Sequence, residues 1–155
     1  MNELAQKVAA ALKAKGLRLA TAESCTGGWV AMALTAVPGS SDWFERGYVT
    51  YSNAAKQEDL GVAAKTLRAQ GAVSEAVARE MAAGAQKRAG AQVALAITGV
   101  AGPTGGTKDK PVGMVCFAWA HGSKIRSETK RFHGDRESVR RQSVIHALER
   151  VLEAL

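Results

Sequence analysis

At 155 residues, with 46% hydrophobic and 23% charged side chains, the chain has the length and balance of one globular domain and not of a disordered, fibrous or membrane-embedded polypeptide. Its formal charge of +7, from 21 Lys and Arg against 14 Asp and Glu, favours an anionic partner, either nucleic acid or a phosphorylated small molecule. Aromatic residues make up only 5% and no nucleic-acid-binding motif is present, which argues against a specific nucleic-acid reader.

The N-terminal run MNELAQKVAAALKAKG places Leu4, Val8, Ala11 and Leu12 at helical spacing and Gly16 where a helix would stop. It has neither the apolar centre nor the cleavage site of a signal peptide, and no window has the apolar length of a membrane span, so a cytoplasmic location is expected. Arg18 to Ser24 (RLATAES) reads as a buried strand, followed by Thr26, Gly27 and Gly28 and an apolar helix through Thr35. Pro38 and Gly39 end that helix, Ser40 or Ser41 can cap a short helical turn, and Gly47 to Tyr51 (GYVTY) has strand composition. Ser52 or Asn53 is placed as the N-cap of a helical segment containing Lys56, and Ser74 starts a long helix that feeds the strand Val93 to Thr98 (VALAIT). Val112 to Ala120 and Lys124 to Phe132 are joined only through His121, Gly122 and Ser123, which permits an antiparallel hairpin. Asp135 can cap a last helix, Arg136 to Leu155, whose apolar face includes Val139, Val144, Ile145, Leu148 and Val151. Alternating strands and helices with one hairpin predict a layered α/β domain over residues 1–155, built on a mixed sheet.

Three segments combine flexible backbone with polar side chains just after a strand, where α/β sheets usually place ligands. In ESCTGG, Gly27 lets backbone N–H groups approach an anion, and Ser24 and Thr26 add hydroxyls. In TGVAGPTGGT, Thr98 and Gly99 lie nearest the strand end, and the glycines can present main-chain donors to a carbonyl oxygen or phosphate, although the spacing fits no standard nucleotide motif. The third, GSSDWFERGYVTYSNAAK, holds Ser41, Tyr51 and Lys56. A serine becomes nucleophilic when a base takes its proton, and a lysine can be that base when its pKa is lowered. Each of the three also has a plain role open to it, as a helix cap, a half-buried strand residue and a surface charge. Cys25 has no adjacent base, and Cys25 and Cys116 fit neither a disulfide framework nor a zinc spacing, so neither metal nor cofactor is expected. His121, His133 and His146 sit outside any G-x-S-x-G elbow, which leaves them surface or structural roles. Seven basic residues fall between Lys124 and Arg141, interrupted by Glu128, Asp135 and Glu137, so that stretch is a mixed face and not a like-charge run.

The stretches TAESCTGGWVA, PGSSDWFERGYVTYSNAAK, GAVSE, ITGVAGPTGG, KPVGMV and GDRESVRRQ together resemble the C-terminal domain of the CinA family, in particular its stand-alone nicotinamide-nucleotide amidohydrolases. The resemblance implies a three-layer α/β/α sandwich with a mixed, mostly parallel sheet, a homodimer, and hydrolysis of nicotinamide mononucleotide to nicotinic acid mononucleotide and ammonia. It carries the family's catalytic hydroxyl, phenol and amine onto Ser41, Tyr51 and Lys56, with Ser24 as a further hydroxyl and Arg136 as the guanidinium of the GDR segment. Ser41 is the preferred nucleophile, Lys56 its base and Tyr51 a proton relay, with Thr26, Gly27, Thr98, Gly99 and Arg136 placed around the nucleotide. The larger CinA proteins carry an additional N-terminal domain with no counterpart in this sequence. The reading from another class is a nucleic-acid-associated binding protein without catalysis; weak, salt-sensitive phosphate binding is all that the charge by itself implies.

Overall fold

Short-range signals set most element boundaries. In the computed structural model, which describes residues 1–155, helix α1 (Asn2–Lys15) ends at Gly16, whose φ of 63° is the left-handed turn that a side chain would disfavour. Strand β1 (Leu19–Glu23), helix α2 (Trp29–Thr35), a single 3-10 turn (Ser40–Asp42) and strand β2 (Phe44–Val49) follow. Helix α3 (Asn53–Leu60) is capped by Ser52, whose hydroxyl accepts from the Ala55 N–H at 3.0 Å. After α4 (Ala64–Gln70), helix α5 (Glu75–Ala89) is capped in the same way by Ser74, and α6 (Arg136–Ala154) by Asp135. Between α5 and α6 lie β3 (Val93–Gly99), β4 (Met114–His121) and β5 (Lys124–Arg131).

Four details differ from the sequence expectation. The 3-10 turn is entered through Gly39, with neither Ser40 nor Ser41 capping it by a side chain. Strand β2 runs from Phe44 to Val49, so Tyr51 lies beyond the strand and is 61% exposed. Helix α4 carries little sequence signal, because AKTLRAQ has no side-chain cap and buries only Leu67. Strand β4 starts at Met114 and not Val112, and His121 pairs with Lys124, which leaves Gly122 and Ser123 as the hairpin loop.

The sheet order is β2-β1-β3-β4-β5. Strands β2, β1 and β3 are mutually parallel, whereas β4 is antiparallel to both β3 and β5, so four of the five strands run in one direction. Alternation along the strands gives the sheet two unlike faces. One face presents Leu19, Leu95, Ile97, Phe117 and Trp119 to α1, α2 and α6. The other is floored by Ala20, Ala22, Ala94, Ala96, Ala118 and Ala120 against the alanine-rich side of α5. Small residues on both partners allow α5 to lie close to the sheet, and Gly84 on α5 lets it approach α3 as well: a Cβ there would sit 1.9 Å from the Leu60 carbonyl oxygen. The close approach fixes α3, the helix that carries Lys56, against the three-layer core.

Candidate active site

The carboxyl ends of β1 and β3 are where the chain gathers its buried polar groups. Strand β1 ends at Glu23, and the turn Ser24–Gly28 that follows uses φ values of 61° at Gly27 and 104° at Gly28. Gly28 occupies the N-cap of α2 but has no side chain to satisfy the first N–H groups of that helix. Glu23 does so instead: its Oε1 accepts from Val30 N–H at 2.9 Å and from the Thr26 hydroxyl at 2.6 Å, and its Oε2 accepts from Ala31 N–H at 3.0 Å. The first N–H groups of α2 are therefore taken by the protein's own carboxylate. The Thr26 side chain, fully buried, is committed to it and not to a ligand.

Lys56 is the principal surprise of burial. It lies one turn into α3 and is 1% exposed, with no carboxylate paired to it. Its Nζ donates to the Thr50 carbonyl at 2.9 Å and lies 3.0 Å from Ser24 Oγ. Burial without an ion pair penalises the ammonium form and lowers the lysine pKa from its ordinary value; the only opposing influence is the nearby Cys25. In the neutral form, Nζ keeps its bond to Thr50 and turns a lone pair to Ser24, whose hydroxyl then donates. That is the geometry of a serine activated by an amine base. Cys25, next in sequence, is held as an inert thiol: burial first, and the Glu23 charge second, push its pKa up to about 12.

A cleft of about 300 Å³ opens over this pair, walled by Tyr51, Asn53, Val73, Thr98, Gly99 and the loop Val100–Gly105. At its mouth Arg136, the first residue of α6, donates to the Tyr51 hydroxyl at 3.0 Å and to the Gly102 carbonyl at 2.8 Å, bridging the two walls. Arg136 also borders a second, wider hollow of about 610 Å³ with Gly27, Trp29, Met32 and Arg140, so the two spaces meet at its guanidinium. The Thr98 hydroxyl donates to the Ala72 carbonyl at 2.9 Å, tying β3 to the segment before α5, and Gly99 is required because a Cβ would come within 2.9 Å of the Met114 carbonyl oxygen. Both residues line the cleft, yet their evident work is to hold its wall.

Ser24, Tyr51, Lys56, Thr98, Gly99 and Arg136 thus share one cleft, and Thr26 and Gly27 adjoin it through the wider hollow. Ser41 does not join them. It precedes β2 by three residues, and its carbonyl accepts from Arg18 at 3.3 Å, just before β1 begins. Tyr51 and Lys56 follow the other end of β2, so the six-residue strand puts roughly 20 Å between Ser41 and Lys56 at about 3.3 Å per residue. Within this chain the lysine meets Ser24.

Sequence reasoning passed over Glu23, the Thr50 carbonyl, Asn53 and Arg140. A lone carboxylate ending an otherwise uncharged strand was the available signal for Glu23. For Arg140 it was the i,i+4 relation to Arg136, and its Nε and Nη2 donate to the carbonyls of Cys25 at 3.0 Å and Thr26 at 3.2 Å. His146 is structural, packed among Phe117, Trp119 and Phe132 with Nε2 2.8 Å from Glu128.

Fold and cleft together define an α/β domain with a serine–lysine pair buried at the carboxyl ends of its parallel strands. The chain belongs to the CinA family: its residues 1–155 match the CinA C-terminal domain. It is 54% identical over 151 residues to the nicotinamide-nucleotide amidohydrolase PncC of Escherichia coli (strain K12), covering 96% of this chain and 91% of that one. The protein of the same name from Pseudomonas putida is 53% identical over 153 residues, covering 99% and 96%. The crystal structure of a competence-damaged protein (CinA) superfamily protein from Klebsiella pneumoniae matches with a TM-score of 0.95 at 46% identity, covering 98% of this chain and 95% of the other. No helix is long and apolar enough to cross a membrane.

Proposed function

We propose that this chain hydrolyses the carboxamide of nicotinamide mononucleotide to give nicotinic acid mononucleotide and ammonia, with Ser24 as nucleophile and Lys56 as its base. The observation that carries the reading is the 3.0 Å contact between Ser24 Oγ and a buried lysine that has no carboxylate partner. Similarity over nearly the whole chain to proteins named nicotinamide-nucleotide amidohydrolase supplies the substrate class.

In the first half-reaction Lys56 Nζ takes the Ser24 proton as Oγ bonds to the amide carbon, and the carbonyl oxygen becomes an oxyanion. Collapse of that intermediate breaks the C–N bond, and the proton held on Lys56 passes to the leaving nitrogen, which departs as ammonia. Water then attacks the Ser24 ester, giving its proton to Lys56; the ester C–O bond breaks, the acid is released and Ser24 regains its hydrogen. The Thr50 carbonyl aims Nζ throughout by accepting one of its hydrogens. Arg136 and Tyr51, paired at the mouth, are placed to meet the phosphate and ribose, for which a guanidinium offers two parallel donors. The pyridinium charge near Lys56 favours the neutral amine further.

The test is product analysis with the purified chain. Ammonia and nicotinic acid mononucleotide should appear in equal amounts from nicotinamide mononucleotide, with free nicotinamide a far poorer substrate because it forfeits the remote contacts. Equal efficiency on both compounds would remove Arg136 from substrate recognition, and no ammonia from either would overturn the assignment.

A further inference from the structure

We infer that Glu23 is a positioning residue for the reaction, holding the Ser24–Gly28 turn so that the Cys25 and Thr26 N–H groups stand free beside the nucleophile to receive the oxyanion. The inference rests on the hydrolysis proposed above and adds to it the group that builds the oxyanion site.

Glu23 is fully buried and accepts three hydrogen bonds, two of them from the first turn of α2. Those bonds join residue 23 to residues 30 and 31 across the glycine turn and close the intervening segment into a ring. Within the ring, the N–H groups of Ser24, Gly27, Trp29, Val30 and Ala31 have partners, and of the three that do not, those of Cys25, Thr26 and Gly28, only the first two belong to buried residues. Ser24 N–H donates to the Ile97 carbonyl at 3.0 Å, the Ser24 carbonyl accepts from Gly27 N–H at 3.0 Å, and Trp29 N–H donates to the Thr26 carbonyl at 3.1 Å. The Cys25 and Thr26 carbonyls also accept from Arg140. The N–H groups of Cys25 and Thr26 donate to nothing in the protein, although both residues are buried. Unpaired donors in such a position are rare outside sites that use them.

Planar trans peptides fix where these donors point. The Thr26 N–H lies opposite the Cys25 carbonyl, and so away from Arg140; the Cys25 N–H lies opposite the Ser24 carbonyl, which the turn has folded back to Gly27. Arg140, which donates to the Cys25 carbonyl, polarises the 25–26 peptide and makes the Thr26 N–H a stronger donor. Glu23 is what allows this. Without an acceptor at the start of α2, the N–H groups of Val30 and Ala31 would be orphaned, and the turn would rearrange to satisfy them.

The experiment uses the full chain and three substitutions. Glu23→Gln keeps size but sets an amide donor against one of the backbone donors. Thr26→Val removes the hydroxyl that Glu23 accepts, and Thr26→Ser retains it. For Glu23→Gln, kcat for ammonia release from nicotinamide mononucleotide should fall at least 30-fold with KM within threefold of wild type. Thr26→Val should lose about tenfold in kcat, and Thr26→Ser should stay within twofold of wild type. A purely structural role would instead lower the melting temperature while leaving kcat per folded site unchanged, and that result, or a Glu23→Gln kcat within threefold of wild type, overturns the inference. Should the wild type release no ammonia at all, the substrate assignment falls, and Glu23 is judged by the crystal structure of Glu23→Gln. Ser24 Oγ leaving hydrogen-bond reach of Lys56 Nζ supports the positioning role, and an unchanged turn overturns it.

Discussion

Replacing Lys56 by methionine separates the cost of burying an amine from the work that the amine does. Burial lowers the Lys56 pKa from its ordinary 10.5, so between the lowered value and 10.5 the unfolded chain holds a proton that the folded protein has released. Unfolding takes up that proton, and the wild type therefore gains stability as pH rises through this window. Below the window both states are protonated and the folded state bears the whole cost of an ionised, unpaired amine, about 1.4 kcal/mol for each unit of lowering. Above 10.5 neither state is protonated and the cost is gone. Lys56→Met removes the titration but strands the Ser24 hydroxyl and the Thr50 carbonyl, at about 1–3 kcal/mol for each group left without a partner. At low pH relief and loss act against each other; as pH approaches 10.5 the relief fades and the loss dominates. Urea unfolding of both proteins between about pH 6 and 10 should show the variant's stability relative to wild type worsening as pH rises above the lowered Lys56 pKa. Ammonia release should fall by about 10²–10⁴, the usual worth of a general base. A stability difference that does not change with pH, or turnover within tenfold of wild type, would refute the idea of a strained, reactive amine.

The remaining expectations concern single sites. Ser41→Ala should leave turnover within about threefold of wild type in a steady-state ammonia assay, because a surface substitution at the far end of β2 disturbs little. Arg136→Ala should raise KM for nicotinamide mononucleotide by about 10–100-fold, the equivalent of one charge-assisted hydrogen bond. Arg136→Lys should recover little of it in the same kinetics, since an ammonium cannot make the paired contact. Gly84→Ala should cost stability at the upper end of about 1–3 kcal/mol in urea unfolding, because its Cβ would collide with the Leu60 carbonyl, and turnover should drop as α3 and Lys56 are pushed aside.

What the sequence disclosed follows from how local each signal is. The helix ends at Gly16, Ser74 and Asp135 are decided by a few neighbouring residues, and the structure has each of them where the sequence put it; of the two caps the sequence allowed for α3, Ser52 and Asn53, the structure uses Ser52. The alternation of strand and helix and the single hairpin carried the layered α/β sheet. The choice between Ser24 and Ser41 was not legible in the sequence, because Ser41 is ten residues from Tyr51 along the chain but separated from it by the whole of β2. Nothing in NAAKQED marks its lysine as buried, since Ser24, the Thr50 carbonyl and the Ala72–Val73 segment that surround it come from outside that helix. Glu23 was hidden in the same way: its three donors lie three to eight residues further on, and only the geometry of the glycine turn brings them back to it.

The choice of Ser24 over Ser41 as nucleophile, with Lys56 as its base, is the central claim, and turnover by Ser24→Ala measures it most directly. Substrate binding should be followed beside the rate, so that a lost site is not mistaken for lost chemistry. The variant should bind nicotinamide mononucleotide with near-wild-type affinity and release ammonia at least about 10³-fold more slowly, and adding Lys56→Ala should make it little worse, since the two residues act as one unit. Ammonia release by Ser24→Ala at a rate near that of the wild type would contradict the account.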